Sequence, residues 1–349
     1  MQPADISQTI TAHQTALAEA IVALQYRRQP ELVARYGDAG RAKSSRDVAY
    51  HLAYLAEALA MERPALFAHY IGWATPMLAS YNVPHGVLAV TLTCMREVLQ
   101  EQLPASARET LAAYLEAGEQ AMTQSALTVP SFLHADAPLH ELAAAYLNLL
   151  LEGDRHAASQ LILGVVGDGV AVRDVYLHVF QPTQYEIGRL WQINQISVAQ
   201  EHYATAVTQL VMSQLYGHIF ATEREGHTLV ATCVGGELHE IGVRMVADFF
   251  EMAGWDTFYL GANTPLDSIR RTLLERQAHV LAISATISTH VSQVAHLIRA
   301  LRESDAGDTR IMVGGYPFNL VDDLWQQVGA DGYAAHADSA ISLANDWMR

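Results

Sequence analysis

Residues 227–242 read HTLVATCVGGELHEIG. The run Thr228–Cys233 is short, apolar and rich in β-branched residues, and Gly235-Gly236 stops it, which predicts a buried strand. Behind the glycines stands Glu237-Leu238-His239-Glu240-Ile241-Gly242. Apolar residues then recur at helical spacing, at Val243, Met245, Val246 and Phe249. A histidine therefore sits on the loop at the carboxyl end of a strand, the edge at which open α/β sheets bind ligands.

Two further strand ends work with this one. HVLAISAT, residues 279–286, delivers Ser284-Ala285-Thr286, and IMVGG, residues 311–315, delivers Gly314-Gly315. The order and separations of Glu237-x-His239-x-x-Gly242, Ser284-x-Thr286 and Gly314-Gly315 resemble the cobalamin-binding domain. That domain is shared by methionine synthase, corrinoid methyl carriers, base-off mutases and cobalamin photoreceptors. The family pattern carries Asp where Glu237 stands and Leu where Thr286 stands. Glu can still accept a bond from an imidazole, and Thr can still line a channel.

The resemblance implies that His239 is the lower axial ligand to cobalt and displaces the cofactor's own benzimidazole. It implies that Glu237 holds the other imidazole nitrogen, fixing its tautomer. Gly242, Ser284, Thr286, Gly314 and Gly315 would then line the path of the displaced nucleotide tail, since glycine allows close approach. For His239 taken alone, a surface histidine on an unrelated flavodoxin-like fold is the simpler reading; the spacing of all three motifs turns it.

Outward from this stretch, strands read at 228–234, 256–260, 279–285, 310–314 and 331–335. Helices read at 241–253, 265–276, 289–303, 319–328 and 338–348. Such alternation means a doubly wound parallel sheet, a flavodoxin-like α/β domain over 226–349. His336, after the last strand, would face the tail's nucleobase or solvent.

Upstream, residues 136–225 read as helices 139–152, 155–168, 170–179, 182–192 and 197–215, a four-helix-bundle cap. Trp191, Val198, Glu201 and His202 resemble the residues that light-sensing cobalamin repressors place over the upper corrin face. Trp191 would wall an adenosyl group, Glu201 would accept from its sugar or base, and Val198 would leave room. The same residues also read as a core Trp and a solvated Glu-His face. One departure stands out: a histidine that follows the Trp in those repressors is Gln192 here, so cobalt capture through that position is in doubt.

Residues 1–128 read as an all-helical domain: 6–26, 30–36, 44–62, 64–80, 84–101 and 106–123, with a capping box at Ser106 and Glu109. Val48, His51, Leu52, Leu55 and Leu59 form one core-facing stripe. His51, Tyr54, His69, Tyr70, Trp73, Tyr81 and His85 read either as core and rim or as the lining of a second ligand pocket. A linker, 124–137, follows. The 349 residues suffice for this multidomain α and α/β architecture, and the net charge of −16 argues against nucleic-acid or anionic-lipid partners. Cys94 and Cys233 give neither metal spacing nor a disulfide framework. No signal peptide or membrane span is read, so the expected compartment is the cytoplasm.

A helical domain ahead of cap and cobalamin fold resembles the photocobilins, which hold biliverdin near cobalamin. The resemblance implies a sensor rather than an enzyme. It would bind adenosylcobalamin and biliverdin, the latter near His51, Tyr81 and His85. Light cleavage of the upper ligand would change self-association of a homo-oligomer and signal to an unidentified downstream protein. The alternative is a corrinoid methyl carrier of a methyltransferase system, which needs the same His239 motif. A passive cobalamin store is a third reading.

Overall fold

The computed structural model describes residues 1–220 and 223–349, without the side chain of His85. The chain divides into two compact units. The first holds residues 1–128 with 287–292, and the second holds 129–286 with 293–349.

The first unit is helical: α1 Pro3–Ala12, α2 Gln14–Arg28, α3 Glu31–Ala60, α4 Pro64–Ser80, α5 His85–Gln102 and α6 Arg108–Gln124. The single helix expected over 6–26 breaks at His13. The two segments expected on either side of Gly37 run together as α3, with Gly37 alone turning to φ 60°. Only glycine adopts that conformation without strain, so the residue kinks the helix rather than ending it. The capping box expected at Ser106 and Glu109 does not form. Ser106 lies inside a short 3₁₀ turn, Ala105–Ala107, and Ala107 precedes α6 without a side-chain cap. Where α4 crosses α6, a Cβ on Gly118 would come within 2.7 Å of the Phe67 ring, so the missing side chain sets the helix spacing. Glu57 accepts bonds from the Ser292 amide (2.6 Å) and hydroxyl (2.9 Å), which draws 287–292 into this unit.

The second unit begins with α7 His140–Glu152, α8 Arg155–Gly167, α9 Val172–Val175, α10 Gln181–Gln192, α11 Val198–Gln214 and α12 Tyr216–Ile219. The segments expected at 170–179 and 182–192 are joined by a π-turn, Tyr176–Phe180, whose Tyr176, Val179 and Phe180 are buried. Four helical rods thus share a core around Tyr146, Ile162, Tyr176, Phe180, Ile187 and Val211.

The α/β part follows: β1 Thr228–Cys233, α13 Ile241–Met252, β2 Asp256–Gly261, α14 Leu266–Arg276, β3 Val280–Ser284, α15 Val291–Arg302, β4 Arg310–Gly314, α16 Tyr316–Leu320, α17 Leu324–Gln327, β5 Gly332–Tyr333 and α18 Ala337–Trp347. The helix expected at 319–328 is two short pieces instead. The sheet is five-stranded and wholly parallel, ordered β2-β1-β3-β4-β5. This is the doubly wound order in which the crevice opens at the β1/β3 reversal. Cys233 pairs with Ser284 and Ser284 with Gly314, so the three motif-bearing strands end level.

One face of α13 ties the helical part to the sheet. Glu240 accepts from Gln209, Arg244 donates to the Gln209 carbonyl and to Ser213, and Asp248 accepts from Tyr176. Met245 and Phe249, between those polar residues, enter the helical core. Residues four apart lie on one helix face, so the ladder fixes the cap against the helix that starts beside His239. Among the described residues, no helix is long and apolar enough to cross a membrane.

Candidate functional site

Glu237 organises the loop after β1. It is fully buried, and a buried carboxylate needs several donors. Its donors include the His239 amide at 3.0 Å, His239 Nδ1 at 2.6 Å and the Thr286 amide at 2.7 Å. The loop is held from the β2 side as well, where Asn263 accepts from the Gly236 amide (2.9 Å) and Glu240 from the Ala262 amide (2.8 Å).

With Nδ1–H given to Glu237, Nε2 is the ring nitrogen left with a lone pair that could bind a metal. The hydrogen bond to Glu237 holds the imidazole pKa above its ordinary value; burial opposes this, and the charges of Glu237 and Glu201 add to it. A raised pKa also means a more basic, better electron donor toward a metal, at the expense of competition from a proton. Cys233, beneath the loop, takes no part in such chemistry: burial pushes its thiol up to about 12.

Glu201 sits on α11 and is close enough to act electrostatically on His239. Ser197 and Gln200 form a capping box that starts α11 and so sets Val198, Glu201 and His202 on its first turns. Val198 is 53% exposed. The His202 ring is solvent-facing and lies 3.4 Å from Glu201. Trp191 on α10 is half-buried against the cap core. Gln192, in contrast, is buried and points its chain inward.

The glycines differ in kind. Gly315 has φ 101°, and a Cβ there would lie 2.0 Å from the Ala285 carbonyl oxygen. The chain itself therefore demands glycine at 315. A Cβ on Gly242 meets nothing within 4 Å. No contact within the chain therefore requires glycine at 242.

Sequence reasoning passed over several residues here. Leu238 is 74% exposed between Glu237 and His239, an apolar side chain held out toward solvent at the ligand edge. Its signal was its place inside the motif. Glu240 and Gln209 had no signal, since their roles depend on contacts between distant segments, and Asn263 was marked only by its turn at the ligand edge.

Of the residues expected around a bilin, His51 is buried with its Nδ1 2.8 Å from Tyr70 Oη, and burial lowers its pKa to about 4. Tyr81 is 40% exposed beneath the Lys43 ammonium. The side chain of His85 lies outside the described residues. Cys94 is buried, and burial raises its thiol pKa.

The loop and the cap fit a corrin. Among the described residues no group of three or more His, Cys, Asp or Glu is placed to hold a bare metal ion. One well-held imidazole suits a metal whose other ligands arrive with its macrocycle. The exposed apolar Leu238 and Val198, with the open face of Gly242, supply surface such a ring would cover.

Comparison with known proteins agrees. Residues 227–342 match a model described as B12 binding domain, and residues 142–216 match a second model of that description. These are cobalamin-binding domains. A corrinoid protein of Desulfitobacterium hafniense is 32% identical over 125 residues, 35% of this chain and 56% of that protein. The chain thus spans about half the length of that relative. Dimethylamine corrinoid protein 3 of Methanosarcina acetivorans is 25% identical over 213 residues, 60% of this chain and 96% of that protein. The solved monomethylamine corrinoid protein of Methanosarcina barkeri shares the fold, with a TM-score of 0.53, 19% identity, and coverage of 60% of this chain and 99% of that one. Outside the cobalamin-binding domains, residues 2–122 match a model described as phycobilisome protein.

Proposed function

We propose that this chain binds a corrinoid base-off, with His239 as the lower cobalt ligand, and that it carries the cofactor's upper ligand rather than catalysing a reaction of its own. The observation behind this is the Glu237–His239 pair, with the Thr286 amide donating to the other carboxylate oxygen. Glu237 would fix the tautomer, and Ser284, Thr286, Gly314 and Gly315 would flank the nucleotide tail. Trp191, Val198, Glu201 and His202 would cover the upper face. The corrin supplies an exchangeable cobalt–carbon bond, and the protein supplies position and electronics. The relatives named for methylamines support use as a methyl carrier, with a methyltransferase as partner.

A specific observation favours a second reading. The corrinoid relative aligned over 96% of its length covers only 60% of this chain. The rest includes the segment that matches a phycobilisome protein model. That favours a sensor holding adenosylcobalamin and biliverdin, whose self-association light would alter.

One experiment tests both readings. The purified chain is titrated in the dark with methylcobalamin and adenosylcobalamin, with and without biliverdin, and then illuminated with green light. Visible spectra and elution volume are followed. A His-ligated spectrum that His239→Ala loses supports the shared core of both readings. Methyl transfer to a thiol or folate acceptor selects the carrier. Bleaching of the adenosyl form with a change in size selects the sensor. An identical spectrum in His239→Ala removes the ligand assignment.

A further inference from the structure

A carboxylate is buried in the first unit. Glu57 lies on α3 between the buried Ala56 and Ala58 and is itself 8% exposed. A buried carboxylate is costly unless donors reach it. Its donors come from 235 residues away in the chain. Ser292 gives its amide (2.6 Å) to one carboxylate oxygen and its hydroxyl (2.9 Å) to the other, and the Val291 amide adds to them. These residues open α15, so Glu57 supplies the acceptor that a helix start needs for its free amides. All of this lies inside the first unit, which takes in 287–292.

The segment that Glu57 holds is short and stiff. Ile287 is extended, Ser288–His290 form a 3₁₀ turn, and the turn runs straight into α15. The His290 amide bonds the Ile287 carbonyl, and the Val291 amide bonds that of Ser288. No flexible loop separates Ser292 from Thr286. Thr286 precedes Ile287 by one peptide bond, and its amide gives Glu237 a 2.7 Å hydrogen bond. The other oxygen of Glu237 holds His239 Nδ1.

We propose that Glu57 is a positioning residue for the corrinoid site: by fixing Ser292 it fixes 287–292, and with it the Thr286 amide on which Glu237 and the His239 ring depend. This rests on the corrinoid reading and adds to it a residue of the helical unit that no motif marks. Glu57 acts through the backbone and touches neither Glu237 nor His239. The chemistry suits the task. Two bonds to one residue fix its direction as well as its place, whereas an apolar side chain at 57 would fill the core and hold nothing.

The test uses the full chain with Glu57→Ala, Glu57→Gln and Ser292→Ala. Hydroxocobalamin is titrated well below the melting temperature of each protein and followed by its visible spectrum. Glu57→Ala should weaken binding about tenfold, the lower end of what loss of a supporting partner costs a metal site, with a smaller His-ligated fraction. Glu57→Gln should recover most of this, because its oxygen can accept from the Ser292 amide and its nitrogen can donate to the Ser292 hydroxyl oxygen. Ser292→Ala, which removes one bond and keeps the fold, should show a smaller loss in the same direction. In a His239→Ala background Glu57→Ala should cost nothing further, since the two act along one path. A lower melting temperature for Glu57→Ala with affinity and spectrum unchanged overturns the proposal and leaves Glu57 a structural cap. Equal losses in Glu57→Ala and Glu57→Gln overturn it, as do additive losses with His239→Ala. A wild-type protein without a His-ligated spectrum removes the corrinoid reading itself, whereas a ligated wild type matched by Glu57→Ala removes this proposal alone.

Discussion

Two histidines in this chain each meet an oxygen through Nδ1, and the chain treats them in opposite ways. His239 faces the carboxylate of Glu237 at 2.6 Å, keeps 55% of its side chain exposed, and has its pKa raised. His51 faces the neutral hydroxyl of Tyr70 at 2.8 Å inside a helical core, where Tyr70 also stacks on Tyr54 at 3.6 Å. Burial alone drives its pKa down to about 4. One ring is made basic and left within reach, and the other is kept neutral and closed in. Partner charge and exposure, rather than residue type, separate a basic, reachable imidazole from one that fills a core.

The largest consequence lies with the closed histidine. Unfolded, His51 would titrate near 6.5; folded, it resists protonation down to about 4. Below pH 6.5 the unfolded chain takes up a proton that the folded chain refuses. The stability present above 6.5 is therefore lost progressively as pH falls toward 4, by about 3 kcal/mol in all. Denaturant melts of wild type and His51→Gln across that window isolate the effect, because the variant has no such proton to bind. Parallel pH profiles for the two proteins would mean that water reaches the ring, and the contrast would fail.

Glu237→Gln probes the open histidine with a smaller effect. The amide keeps one oxygen for His239 but turns a donor toward the Thr286 amide, and it removes the charge that raises the imidazole pKa. Loss of such a supporting partner costs about 10- to 100-fold in metal affinity. Hydroxocobalamin titrations followed by visible spectra measure it. Affinity within twofold of wild type would show that the carboxylate is not what prepares His239.

The loop was legible in the sequence because its chemistry is local. Glu237, His239 and Gly242 lie within six residues, behind an unmistakable buried strand, and Ser284 and Gly314 follow from strand ends that a parallel sheet must align. The helical unit was legible only as helices. The stripe Val48, His51, Leu52, Leu55, Leu59 carried the information that His51 is core, yet its partner Tyr70 sits on another helix and cannot be paired by spacing. The same limit hid the polar ladder from Glu240 to Asp248, since its partners come from α11 and the π-turn. The break at His13 and the merging across Gly37 reflect backbone choices made by packing rather than by local propensity.

The smallest expected effect on the empty fold separates chain-imposed features from ligand-imposed ones at the open histidine. Around His51 each contact is explained by the core. Around His239, Gly242 is not, because its Cβ position is vacant, while nearby Gly315 is fixed as glycine by the Ala285 carbonyl. Gly242→Ala should therefore leave the unloaded chain within about 0.5 kcal/mol of wild type, or slightly more stable, since it lies in the first turn of α13. On the proposed reading corrinoid binding should weaken all the same, because the added methyl group would occupy space the corrin covers. Thermal melts and cobalamin titrations of the same preparation give both numbers. A destabilised empty chain would place Gly242 with Gly315 among residues the fold requires, and the space before it would no longer speak for a ligand.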